Sequence, residues 1–260
     1  MSESDTELTE KQREVKEKFK EQRGYWSEMW DDFLKLDPEF LDLYRAFSAH
    51  PWNEGVLEPK VKELIYISID VSTNHLYNRG TRYHIQNALD YGASVDEIME
   101  MFQLTSVIGV HSATEGMPIL ADEVGRPGEP AEEVAAEQER LKDRFEEERG
   151  YWSESWEDVL QLDHEYFERY LEYSAHPWKE GVLDPKVKEF IYIAAVASTT
   201  TLYNPGIRVH VQQALEYGAT REEIMEVFQL ISVLGVHTLT ESVPVLIDEA
   251  KKRGKLPDDF

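Results

Sequence analysis

From Pro59 onward the chain places apolar side chains at Val61, Leu64, Ile65 and Ile67, the three-and-four spacing that keeps one face of a helix dry. A proline in the first turn suits a helix start, because the N–H it lacks would have gone unbonded there anyway. The run IYISIDV could be read as a strand, but its continuity with the proline-started segment predicts helix. Thr9 to Gln22 reads as a charged helix, LDPEFLDLYRAFSAH as an amphipathic one begun at Asp-Pro and stopped by Pro51, and HIQNALDYGA as one ended by Gly92. The YWSE segment opens a short further helix. Ser94 with Glu97 three residues on is a capping box, and one long apolar helix is expected to run from there through SVIGVHSATEGMPIL. The predicted fold class is all-α.

This pattern is written twice. RGYWSEMWDDFLKLD from Arg23 and RGYWSESWEDVLQLD from Arg149 set an offset of 126, under which Trp52 matches Trp178, Glu63 matches Glu189, His84 matches His210 and His111 matches His237. The match runs ungapped from Arg23 to Leu120 with more than half its positions identical, the mark of a duplication. A charged helix at Glu132 to Glu148 answers the one at Thr9 to Gln22. Two tandem helical domains are expected, 1–125 and 132–260, joined near VGRPGEPAEE.

Composition narrows the chemistry. The 52 acidic against 27 basic residues give a formal charge of -25, which repels nucleic acid phosphates and anionic lipid. The chain has no cysteine, so disulfides, thiolate metal ligands and thiol nucleophiles are all excluded. MSESDTELTEKQREVKEK has neither a basic n-region nor an apolar h-region, and a soluble, cytoplasmic protein is expected.

LEPKVKELIYIS followed by RYHIQNALDYGASVDEIMEMFQLTSVIGV resembles the carboxymuconolactone decarboxylase family, which includes the alkylhydroperoxidase D-like proteins. LDPKVKEFIYIA with RVHVQQALEYGATREEIMEVFQLISVLGV resembles it again. The resemblance implies an all-helical domain that pairs and assembles as a trimer or hexamer, so a trimer of these two-domain chains would hold six modules. The family's peroxidase branch uses Cys-x-x-Cys-x-x-x-His and a Glu one helix earlier. Here the cysteine positions fall on Tyr77 and Gly80, and on Tyr203 and Gly206, which rejects disulfide-based peroxide reduction. The decarboxylase branch keeps the Glu and His and uses no cofactor.

Each candidate residue carries two readings. His84 and His210 match the family's catalytic His; the plain alternative is a buried histidine bonded to a carbonyl. Glu63 and Glu189 match its relay Glu, against an ordinary ion-paired helix carboxylate. Arg82 and Arg208, two residues before each His, are salt-bridge partners or forks that grip a substrate carboxylate. His111 and His237, with Glu115 and Glu241 on the same helical face, are satisfied core histidines or site-lining groups. Trp52 and Trp178, beside His50 and His176, pack a helix bend or line a pocket. Tyr77 and Tyr203 are candidate donors to a developing enolate. Asp70 becomes Val196, and Asn74 and His75 become Thr200 and Thr201, so the two sites differ in substrate handling or only one is fully active.

The function expected is that of a cofactor-independent acid–base enzyme on a small organic acid or lactone, by decarboxylation, lactone opening or isomerisation. No metal site is assigned. Two alternatives stay open: a metal-dependent enzyme, with His84, His111 and Glu63 as ligands, and a non-catalytic ligand-binding member. A Glu63 out of hydrogen-bond reach of His84 would favour the latter.

Overall fold

The computed structural model describes residues 8–257 and 260; the first seven residues, part of the stretch read above for a leader, lie outside them. The fold is all-α, and among the described residues there is no strand. The first copy carries α1 (Glu10–Arg23), α2 (Asp31–Leu36), α3 (Pro38–Asn53), α4 (Pro59–Asp70), α5 (Asn78–Asp90), α6 (Val95–Ser106) and α7 (His111–Val124). The second carries α8 (Glu132–Arg149), α9 (Glu157–Leu162), α10 (His164–Lys179), α11 (Pro185–Ala197), α12 (Asn204–Glu216), α13 (Arg221–Ser232) and α14 (His237–Lys252). By length and composition the helical stretch Arg221–Lys252 is apolar enough to cross a membrane, although a 3-10 turn at Val233–Val236 interrupts it.

Local chemistry explains most boundaries. The Thr9 and Gln12 side chains cap each other's backbone N–H groups at the start of α1, and Ser94 and Glu97 do the same for α6. Three boundaries differ from expectation. Helices α3 and α10 run through Pro51 and Pro177 to Asn53 and Lys179: the proline costs one carbonyl its partner in a last turn that ends two residues later. The long apolar helix after Ser94 is split by a 3-10 turn, Val107–Val110, so that His111 begins a new helix. The helix read over HIQNALDYGA already begins at Asn78, which puts His84 in its second turn.

Gly80 and Gly206 therefore serve close approach and not a turn. A Cβ on Gly80 would lie 2.1 Å from Asp70 Oδ2 and 2.6 Å from the Tyr77 ring, and one on Gly206 would lie 2.7 Å from the Tyr203 ring.

Two compact units form, and they divide the chain differently from the duplication: one is Met1–Val56 with Ser232–Phe260, the other Leu57–Ile231. The first unit is built on Val15, Phe19, Trp30, Phe33, Leu34, Leu41 and Val236. In the second unit α4 and α11 pack against each other and are buried on nearly every side, as helices at the centre of a core are. Around them lie Leu64, Ile67, Met101, Leu104 and Ile191, with a second cluster on Leu141, Phe145, Trp156, Phe167 and Leu171.

The central helices also bury a lysine each, and each lysine is answered by the other copy. Lys62 Nζ lies 2.7 Å from Glu226 Oε1, and Lys188 Nζ lies 2.8 Å from Glu100 Oε1. The second oxygen of each carboxylate accepts backbone N–H groups, from Leu57 for Glu226 and from Val182 and Leu183 for Glu100. Such buried ion pairs fix how the modules of this unit register, since any shift would strand a buried ion.

Candidate active site

Two imidazole–carboxylate pairs sit in the second unit. Glu189 on α11 and His210 on α12 are brought together by the packing of those helices, with His210 Nδ1 2.7 Å from Glu189 Oε2. The first copy repeats this with His84 Nδ1 2.6 Å from Glu63 Oε2. Both carboxylates are almost fully buried, at 1% and 2% exposure. With the carboxylate ionised, Nδ1 carries the proton and donates it, and Nε2 is left as the imidazole's acceptor.

The pairs differ in what surrounds them. Glu63 Oε1 accepts from Asn87 Nδ2 at 3.0 Å, whereas Glu189 Oε1 has no hydrogen-bond partner, and Gln213 stands at the sequence position of Asn87. The first copy adds Asp70, whose carboxyl is pushed up to about 7 by burial, with Glu63 adding to the rise and His84 opposing it. Val196 stands in its place in the second copy.

A cavity of about 40 Å³ opens beside His210, room for a few water-sized groups at roughly 10–15 Å³ each. Tyr192 stacks on the His210 imidazole, centroids 4.5 Å apart and planes 19° from parallel, and Tyr151 meets it edge-on at 6.3 Å. Burial raises the Tyr192 phenol to about 12, with Arg149 pulling the other way, and raises Tyr151 and Tyr170 as well, so this wall stays protonated. Tyr203 closes another side; its hydroxyl is 3.4 Å from that of Thr114, and its ring lies 4.1 Å from the imidazole of His111. His111 is lowered to about 4 by burial and by the nearby His210, so it is neutral at ordinary pH.

Of the residues singled out from sequence, His111, Tyr203 and His210 line this cavity, and Glu189 stands behind His210. The trio of His84, His111 and Glu63 considered as metal ligands is not what assembles here, because His111 lines the second copy's site. Arg82 and Arg208 are exposed, and Arg208 is not among the lining residues; each is carried on a helical turn whose neighbour, not itself, faces inward. Trp178 is a backing group: it stacks over Tyr192 and Tyr217 and under the Arg149 guanidinium. Trp52 and His237 belong to the first unit, where Arg23 lies over the Trp52 ring. Tyr77 is buried, against Gly80.

Sequence reasoning passed over Arg149 and Tyr151, both of which line the cavity. Their signal was present in RGYWSE, whose repetition marks the duplication but whose Arg and Tyr suggest no chemistry on their own.

The model of the carboxymuconolactone decarboxylase family matches residues 38–122 and again 164–246. The chain belongs to this family. Both Glu–His pairs fall within the matched regions of this carboxymuconolactone decarboxylase family member, while Arg149 and Tyr151 fall between them. A crystal structure from Burkholderia xenovorans, of a protein provisionally named a gamma-carboxymuconolactone decarboxylase subunit, is 39% identical, with 93% of this chain and 98% of that one covered and a TM-score of 0.87. No curated protein matches the chain.

Proposed function

We propose that the protein is a cofactor-independent acid–base enzyme of the carboxymuconolactone decarboxylase type, acting on a small organic acid or lactone by decarboxylation, lactone opening or isomerisation. One observation carries the reading: His210, on the cavity wall, has Nδ1 2.7 Å from a buried carboxylate, Glu189. Such a partner fixes the tautomer and stabilises the imidazolium, which makes Nε2 a base and its protonated form an acid. In isomerisation His210 takes a proton from the carbon beside a carbonyl and returns it to a different carbon. In decarboxylation the C–C bond breaks, CO2 leaves with the electron pair held as an enolate, and the imidazolium protonates that enolate. Tyr203, a phenol whose pKa is raised by burial, is the donor available to the enolate oxygen.

The 2.6 Å contact between His84 and Glu63 supports a catalytic reading over a ligand-binding one for the first copy too. The family resemblance supports a trimer of two-domain chains as the working assembly. The test is a panel of small organic acids and lactones assayed for CO2 release, ring opening and double-bond migration with the native protein and the double variant Glu63→Gln with Glu189→Gln. Turnover of any panel member should fall about 100-fold or more in the variant, within the range removal of general acid–base catalysis produces. Equal turnover would reject the role of the pair.

A further inference from the structure

The cavity beside His210 holds one fixed positive charge that the protein leaves unanswered. Arg149 ends α8 and is 2% exposed. Its guanidinium is wedged among rings, with Cζ 5.6 Å from the centroid of Tyr192 and 5.7 Å from that of Trp178. Nη2 donates to the Tyr192 hydroxyl at 3.4 Å and the Tyr170 hydroxyl also interacts with the guanidinium, while Nε and Nη1 have no hydrogen-bond partner. Among the described residues Arg149 forms no ion pair, and Glu189 attracts it only from longer range. No Asp or Glu is among the residues that line the cavity, in a chain whose acidic residues outnumber its basic ones by 52 to 27.

A buried guanidinium with idle donors is costly unless something completes it. The group that completes a planar fork of N–H donors best is a carboxylate, and Nη1 with the second hydrogen of Nη2 forms one edge of that fork. The remainder of the lining tells what the anion is attached to. Val107, Ile108 and Val196 give an apolar wall, and no second Lys or Arg is present to hold a second carboxylate. Arg149 and His210 both line the cavity and lie against Tyr192, the first with Cζ 5.6 Å and the second with its ring 4.5 Å from the same centroid, within reach of one small molecule.

The first copy does not repeat the arrangement. Its counterpart, Arg23, donates from Nη1 to the Ser48 carbonyl at 2.6 Å and lies with Cζ 5.1 Å from the Trp52 ring. The nitrogen that is idle in Arg149 is spent inside the protein in Arg23.

We propose that Arg149 receives the carboxylate of a small monocarboxylic acid, that the neighbouring carbon of this acid is held toward His210, and that this carboxylate site occurs once per chain. The orientation toward His210 rests on the proton-transfer reading above; the binding of the carboxylate does not.

The probes are propionate and butyrate, with butyramide as the neutral isostere, titrated into the full chain by calorimetry and by NMR. Both acids should bind saturably with one site per chain, and butyramide at least tenfold more weakly. Arg149→Met should weaken the acids tenfold or more, and Arg208→Met should leave them unchanged. Should Arg149→Met fail to fold, the Nε–H resonance of Arg149 in the native protein, assigned by its loss in Arg149→Lys, decides the matter by shifting on addition of butyrate. Equal binding of butyramide, undiminished binding by Arg149→Met, two equal sites per chain, or an Nε–H signal that butyrate leaves in place would each overturn the proposal. His210→Ala should keep butyrate binding. Turnover that survives joint loss of His84 and His210 while binding still requires Arg149 would remove the proton-transfer reading and leave this site standing.

Discussion

The imidazole of His111, from the first copy, lies 4.1 Å from the ring of Tyr203 in the second, so one module supplies part of the wall around the other module's cavity. Burial and the nearby His210 hold His111 at about 4, against 6.5 for the free side chain. An unfolded chain therefore binds a proton between these values that the folded one refuses, and stability falls as pH drops from 6.5 toward 4. The cost is on the order of 2 kcal/mol, discounted for the part of the ring that solvent reaches. His111→Phe should flatten the urea-denaturation profile over that window, and an unchanged slope would contradict the assignment.

Asp70 has the opposite sign. Its carboxyl is raised to about 7 from 3.8, chiefly by burial, so the folded state binds protons more tightly and loses stability as pH rises from about 3.8 to about 7. The loss is on the order of 2–4 kcal/mol at pH 8. Asp70→Val, which copies Val196 of the second module, is expected to raise the melting temperature at pH 8 and to gain much less at pH 4. Equal gains at both pH values would show that the carboxyl titrates normally.

The crossed pairs Lys62–Glu226 and Lys188–Glu100 predict a strong asymmetry between single and double substitutions. Lys188→Met strands Glu100 beside two backbone donors and should cost about 3–5 kcal/mol in chemical denaturation. Lys188→Met with Glu100→Leu should recover part of that loss, because no buried ion remains. A double variant as unstable as the sum of two singles would mean that the ions act independently.

Close approach at the start of α12 is equally open to test. A methyl at position 206 would meet the Tyr203 ring at 2.7 Å, so Gly206→Ala should destabilise by about 1–3 kcal/mol and displace the phenol from the cavity. Near-UV circular dichroism and turnover report the two effects separately.

The elements most readable in the chain were those written in local chemistry. The capping residues Thr9 and Ser94 and the prolines at 38, 59 and 185 announce helix starts without help from the rest of the fold. The pairing of Glu189 with His210, 21 residues apart, was legible only through the family pattern, since periodicity places both on helices but not against each other. The role of Arg149 was not legible from the repeated RGYWSE: it lies 61 residues from His210, and what sets it apart is the missing acidic partner, a property of packing. Arg208 drew attention by its nearness to His210 in sequence, yet residues two apart on a helix point in different directions.

The proton-handling role of the two Glu–His pairs is tested most directly by deuterium incorporation at carbon, followed by NMR in D2O with a small organic acid that the protein turns over. The native chain should exchange the carbon-bound hydrogen at the rate of turnover or faster. His84→Ala with His210→Ala, folded by circular dichroism, should lose that exchange by at least about 100-fold. Exchange at the native rate in the double variant would contradict the account.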